Sequence, residues 1–141
     1  MFIQQISVFM GNAPGRLVEI LRAFERHGID LRAYSVAETS DFGIMRLIAR
    51  DPDAAMEALK REGYTAKMTD ALGIIVPDRP GSTIEAFRIL GEAGINVEYT
   101  YAFAMAAAQS AFILLRVDDN ETAARLLREA GIRLASNADV L

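Results

Sequence analysis

The chain has no cysteine, which removes disulfides, thiol nucleophiles and thiolate metal sites together. It has one histidine, His27, and nothing beside it in the sequence reads as a ligand or a base partner. Nucleophilic catalysis needs a nucleophile, a base and an orienting group, so few combinations remain. No His/Cys/Asp cluster has metal-ligand spacing. The expectation is therefore no enzyme, no metal and no cofactor. No apolar run approaches the roughly 20 residues of a membrane span. The start, "MFIQQISVFM", has no basic region before its apolar residues and no small-residue cleavage site, so a cytoplasmic location is expected. Nor is there an excess of positive charge: 15 Lys and Arg stand against 19 Asp and Glu, a net charge of −4. Phosphate recognition needs clustered cations, whereas here both signs interleave along segments such as "RLVEILRAFERHG". Nucleic acid and anionic lipid are excluded as partners on that ground.

What is present is a core and a repeat. The 141 residues are 52% hydrophobic and 24% charged, which suits one ordinary domain or two small ones. Asn12-Ala13-Pro14-Gly15 aligns with Asp78-Arg79-Pro80-Gly81 at an offset of 66. At that offset Val18 meets Ile84, Leu21 meets Phe87, Phe24 meets Leu90, and "GIDL" (28–31) meets "GINV" (94–97). One inserted residue later Asp51 meets Asp118 and Leu59 meets Leu126. The reading is two copies of a unit of about 70 residues, 1–69 and 70–141, joined near Asp70 without a Pro/Ser linker and hence packed side by side.

Each copy carries the same order of elements. "IQQISVFM" is a strand, with Gly11 to Ala13 as its turn. Pro14 suits the first helical position, where a missing N–H costs nothing. Leu17, Ile20, Leu21 and Phe24 recur at i, i+3, i+4, i+7, one helix face. Gly28 and Gly94 close their helices as left-handed residues. Strands then follow at "IDLRAYSVA" and "INVEYTYAF", connections at "ETSDFG" and "AMAAAQ", and third strands at "IMRLIAR" and "AFILLRV". Asp51-Pro52 opens a short helix, with Asp as cap and Pro at N1; Gly63 and Gly131 end the second helices, before final strands "YTAKMT" and "IRLAS". The order is β-α-β-β-α-β, an α+β class of two ferredoxin-like modules with antiparallel sheets. "SAFILLRV" and 102–108 are apolar where the first copy is polar. The second unit is therefore expected to bury more surface, against its sister or a second chain, or simply to hold a two-sided central strand.

At the strand–[Asn/Asp]-x-Pro-Gly–helix corner and the helix-ending Gly-Ile-[Asp/Asn]-[Leu/Val], the sequence resembles the ACT domain, a regulatory module that commonly senses amino acids. The resemblance covers nearly the whole chain as two consecutive modules, and implies a free-standing tandem protein. It further implies side-by-side pairing with an effector between modules, one offering the corner loop and its neighbour the residues after the helix-ending glycine. Carried onto this sequence, the binding residues are Gly11, Asn12, Ala13, Gly15, Asp30 and Leu31 in copy one, and Asp78, Arg79, Gly81, Asn96 and Val97 in copy two. Unsatisfied N–H groups at a helix start suit a carboxylate, and short Asn or Asp side chains suit an ammonium group. Pairing between the modules of one chain sets Asn12 with Asn96, and Asp78 with Asp30. The first matches an amino-acid site, and the second juxtaposes like charges.

Plainer readings stand beside these. Asn12 and Asp78 fit simple Asx turns before proline, and Asp30 and Asn96 fit loop-satisfying roles. His27 fits a surface or capping position, and Tyr99, Tyr101 and Phe103 fit a core, an interface or a pocket wall. The same fold hosts acylphosphatases and RNA-binding sheets, but their phosphate-gripping arginine and their basic-aromatic strand pattern are missing here. The functional expectation is a non-catalytic sensor of a free amino acid that acts on a partner enzyme or as a homodimer. The alternative is a ligand-free protein–protein interaction module.

Overall fold

The computed structural model describes residues 2–38, 42–105 and 109–140. The elements are β1 (Ile3–Gly11), α1 (Arg16–Arg26), β2 (Leu31–Glu38), β3 (Phe42–Ala49), α2 (Pro52–Arg61), β4 (Ala66–Pro77), α3 (Ile84–Glu92), β5 (Val97–Met105), β6 (Ser110–Val117), α4 (Asn120–Glu129) and β7 (Arg133–Leu134), then a 3-10 turn, Asn137–Val140. Parts of the two connections read from sequence, residues 39–41 and 106–108, lie outside the described residues.

The chain divides into two compact units. Gln4–Asp70 with Val140 makes the first, and Ala71–Asp139 with Phe2 and Ile3 the second. The carbonyl of Val140 joins the first unit by accepting from Arg32 Nε at 2.6 Å. In the first unit β3 lies between β2 and β1, and β1 between β3 and the start of β4. In the second, β6 lies between β5 and the later part of β4, whose other edge carries β7. The antiparallel registers include Ile6 opposite Leu47 in the first unit and Leu72 opposite Leu115 in the second. This is the ferredoxin-like strand order, twice. Strand β4 passes Asp70 without a turn and runs from Ala66 to Pro77.

Alternation explains each core. Ile6 and Val8 of β1 and Met45, Leu47 and Ala49 of β3 face the same way and meet Ile20 and Phe24 of α1 and Ala55 and Leu59 of α2. In the second unit Leu72, Ile74 and Val76 of β4 and Ile113, Leu115 and Val117 of β6 meet Ala86, Leu90, Ala123 and Leu127. Each fully buried Leu, Ile or Phe contributes roughly 1.5–3 kcal/mol.

Strand β6 is two-sided, which fits the plainer of the two alternatives read from its sequence. Phe112 and Leu114, on the face away from the helices, are as buried as Leu115. Phe112 stacks on Phe103 of β5 with ring centroids 4.9 Å apart, which gives one of the three alternating aromatics of β5 its role.

Two expectations are corrected. Pro14 is not the first helical residue: Ala13–Arg16 is a turn, closed by Arg16 N–H on the Ala13 carbonyl at 3.3 Å, and α1 starts after it. Gly15 has φ 87° and ψ −9°, close to the roughly +80°, 0° of the third residue of a type II turn. A residue there cannot be helical, so Pro14-Gly15 makes a corner rather than a helix start. The second correction concerns the repeat. The cap of α4 is Asp119, equivalent to Asp51, and Leu127 is the buried equivalent of Leu59. The later offset is therefore 68, two residues more than the 66 of the corners, and not one.

Candidate functional site

The two corners share one backbone device. In the second module Ser82 N–H donates to the Arg79 carbonyl at 3.3 Å, its hydroxyl donates to the same oxygen at 3.0 Å, and Gly81 has φ 84°. Gly11 still belongs to β1, so the loop proper starts at Asn12. Asn12, Ala13, Gly15, Asp78, Arg79 and Gly81 are all exposed. The Asp78 N–H donates to the Gln109 carbonyl at 2.9 Å, tying the second corner to the β5–β6 connection.

The helices divide into two kinds at their starts. Asp51 caps α2 by accepting from Ala54 N–H at 3.0 Å, and Asp119 caps α4 by accepting from Thr122 N–H at 3.1 Å. Hydrogen bonds from Thr122 hold the Asp119 carboxyl below its ordinary range. The corner helices α1 and α3 have Gly15 and Thr83 at their N-cap positions, with no side-chain cap bond. A helix end of this kind presents donors and the positive end of the helix dipole, worth about 0.3–1 kcal/mol to an anion.

Two grooves flank these elements in the first module. One, of about 310 Å³, is lined by Gly11, Arg16, Glu19 and Tyr64 among others. Arg16 and Glu19 pair at 3.0 Å, one turn apart on α1, and burial, with the nearby Glu19 and Glu62 carboxylates, pushes the Tyr64 phenol up. The other, of about 450 Å³, is lined by His27, Gly28, Ile29, Asp30, Arg50 and Asp51 among others. Asp30 therefore borders a different groove from Gly11 of its own module. Its carboxylate lies 3.2 Å from Arg32. In the second module the Asn96 N–H donates to Asp118 Oδ1 at 3.3 Å. Leu31 and Val97 start their strands and pack, half-buried, on their module's core.

Glycines at C′ place the post-helix residues. After Gly28 the Ile29 N–H reaches back to the Phe24 carbonyl at 2.9 Å, and Ile95 does the same to Leu90, the Schellman closure. His27 does have a partner: its Nε2 lies 3.1 Å from Glu62 Oε1, and Arg26 pairs with the same carboxylate at 2.9 Å. Hydrogen bonds from Arg26 and then His27 hold the Glu62 carboxyl below its usual range. Sequence reasoning did not name Arg16, Glu19, Tyr64 or Arg50, which line the two grooves. The equivalence of Arg50 with Asp118 rests on their backbone bonds to Asp30 and Asn96. Among the described residues no group of three or more His, Cys, Asp or Glu is placed to hold a metal, and no helix is long and apolar enough to cross a membrane.

Comparison with known proteins agrees with this geometry. Protein BT0572 from Bacteroides thetaiotaomicron is 34% identical over 99% of this chain and 96% of its own, with a TM-score of 0.92. The ligand-free regulatory subunit of aspartate kinase from Thermus thermophilus matches over 92% of this chain and 93% of its own, at 18% identity and a TM-score of 0.63. Aspartokinase alpha and beta subunits match at 20% identity over 90% of each chain, with a TM-score of 0.59. The last two show likeness of fold. No curated protein matches the chain. The family model described as an ACT domain pair matches residues 1–140. With its doubled βαββαβ order and its two Pro-Gly corners, the chain belongs to the ACT domain family.

Proposed function

We propose that this chain is a non-catalytic regulatory protein that binds a free amino acid at an interface between ACT modules. The observation that carries the reading is the twofold contrast in helix starts: α2 and α4 are capped by Asp51 and Asp119, while the corner helices α1 and α3 start without a side-chain cap. Their donors suit a ligand carboxylate, and the Asn12 or Asp78 side chain suits its ammonium group. The likeness to a protein named as a regulatory subunit of aspartate kinase supports the regulatory half of the reading. The two sites are unequal. Asn12 with Asn96 forms the stronger, and Asp78 with Asp30 the weaker because like charges oppose each other. Binding stabilises one packing of modules over another, and a partner enzyme or second copy that prefers one packing changes ligand affinity by the same factor.

A thermal-shift screen against the twenty L-amino acids, with D-enantiomers as controls, tests the reading. Ligand at a hundred times its dissociation constant adds about 2.7 kcal/mol, and the midpoint rises for one amino acid or a related few. Asn96→Ala weakens that response and leaves the unliganded midpoint nearly unchanged. The second reading, an interaction module without ligand, draws on the exposed Phe9 and Phe42 rings of the first module, 5.9 Å apart. Absence of any stereospecific shift would favour it.

A further inference from the structure

The second module closes the loop after its first helix with a carboxylate of its own. Asp118 N–H donates to the Asn96 carbonyl at 3.4 Å, and Asp118 Oδ1 accepts the Asn96 N–H at 3.3 Å. The first module repeats the backbone half of this arrangement: Arg50 N–H donates to the Asp30 carbonyl at 2.9 Å. That bond equates Asp30 with Asn96 and Arg50 with Asp118. The side-chain half differs. Where the second module has a carboxylate, the first has a guanidinium, and the Asp30 N–H has no acceptor among the described residues.

The other charges beside Asp30 are already engaged. The Asp30 carboxylate is with Arg32, the Asp51 carboxylate is on the Ala54 N–H, and His27 is on Glu62. The Arg50 guanidinium makes no hydrogen bond or ion pair among the described residues. The groove of about 450 Å³ that these residues line thus holds unclaimed donors, in the size range of small-molecule pockets, roughly 300–1,000 Å³.

We propose that this groove of the first module binds the carboxylate of a small organic acid in the place that the Asp118 carboxylate fills in the second. One oxygen accepts from the Asp30 N–H and the other from the Arg50 guanidinium, a pair of charge-assisted bonds. The second module is the template, and the first is the same loop with its internal anion removed. The site uses the Asp30 backbone N–H and Arg50 of one module, not the Asp30 side chain that the weaker corner site sets beside Asp78, so the two readings share a residue and differ in the atoms they use.

The test is a series of ¹H–¹⁵N spectra of the full chain titrated with sodium glutarate, against sodium chloride at equal ionic strength. The expected result is a saturable shift of the Asp30 amide and none of the Asn96 amide. Arg50→Gln weakens the binding about tenfold or more, the worth of a charged hydrogen bond. Arg50→Asp, which installs the second module's arrangement, abolishes it. Asp118→Arg, which removes the internal anion, brings the Asn96 amide into response. Asp78→Ala, which removes the corner partner assigned to Asp30, and Asn12→Ala both leave the Asp30 response unchanged, so this proposal and the corner sites fail separately. No saturable shift at Asp30, an undiminished shift in Arg50→Gln, or equal binding of inorganic phosphate would overturn the assignment.

Discussion

The two modules share an order of elements and diverge on the sheet face turned away from their helices. In the first, β1 and β3 carry Ser7 and Arg46 there, directly opposite each other. In the second, the equivalent positions are Gly73 and Leu114, and beside them Phe112 is fully buried. A side chain at 73 would fill the space the phenyl ring now occupies. Its Cβ would come 2.7 Å from Phe112 Cζ, 3.0 Å from Ile3 and 3.1 Å from Ala135. Packing density, not backbone conformation, requires this glycine. At this one pair of positions the first module is polar and the second sets a small residue beside a large apolar one.

The sharpest way to break the comparison is Gly73→Ser, which gives the second module the first module's residue. Overpacking costs about 1–3 kcal/mol or more, read as a lower midpoint in urea unfolding. Adding Phe112→Leu should recover part of the loss, and Ser7→Gly should cost less than Gly73→Ser. If Gly73→Ser proves neutral, the close contact is not a constraint.

A smaller effect compares the capped helix starts. Asp51→Ala and Asp119→Ala should each cost about 1 kcal/mol, one per module, with circular-dichroism melting as the measure. Smaller again, and of opposite sign, is Gly91→Ala. Gly91 lies in the last turn of α3 with open space around its Cβ direction, and its first-module equivalent is Glu25. Alanine there should stabilise by about 0.5–1 kcal/mol, raising the melting midpoint.

The smallest effect is in acid. Glu62 in the first module and Asp119 in the second have carboxyls held below their ordinary values of 4.5 and 3.8. A depressed folded-state value contributes stability above the unfolded value and loses it as pH falls through the folded one. Both contributions are full above about pH 5 and fade below 4.5 and 3.8 respectively. Glu62→Gln should flatten the upper part of that decline and Asp119→Asn the lower, in midpoints measured from pH 6 to pH 2.5 (about that span suffices for carboxylates).

Much of this was legible in the chain. The periodicity of Leu17, Ile20, Leu21 and Phe24, carried to Phe87 and Leu90 by the repeat, placed two helices, and Gly28, Gly63, Gly94 and Gly131 marked the ends of four. The β-α-β-β-α-β order followed, and the family with it. Pro14 was misleading because proline serves equally at a helix start and in a turn, and Gly15 beside it decides for the turn. The second offset was hidden because Asp118 and Asp119 are identical neighbours, as are Leu126 and Leu127. Only the hydrogen bond from Thr122 N–H to Asp119 distinguishes cap from loop residue. The final strand of the first copy, "YTAKMT", runs on through the join near Asp70 as part of β4. The final strand shrinks to Arg133–Leu134, since Ala135 N–H still bonds the Gly73 carbonyl at 2.7 Å but the chain then turns into Asn137–Val140.

The sequence by itself determined the repeat, the element order and the chemistry available: no thiol, one imidazole, two Pro-Gly corners. These are local properties, set by side-chain period and by the φ each residue tolerates. Tertiary structure alone decided that Arg50 stands where Asp118 stands, that Glu62 gathers Arg26 and His27, and that Gly73 makes room for Phe112. Each of these joins residues at least twenty positions apart, and only folding brings such groups within bonding distance.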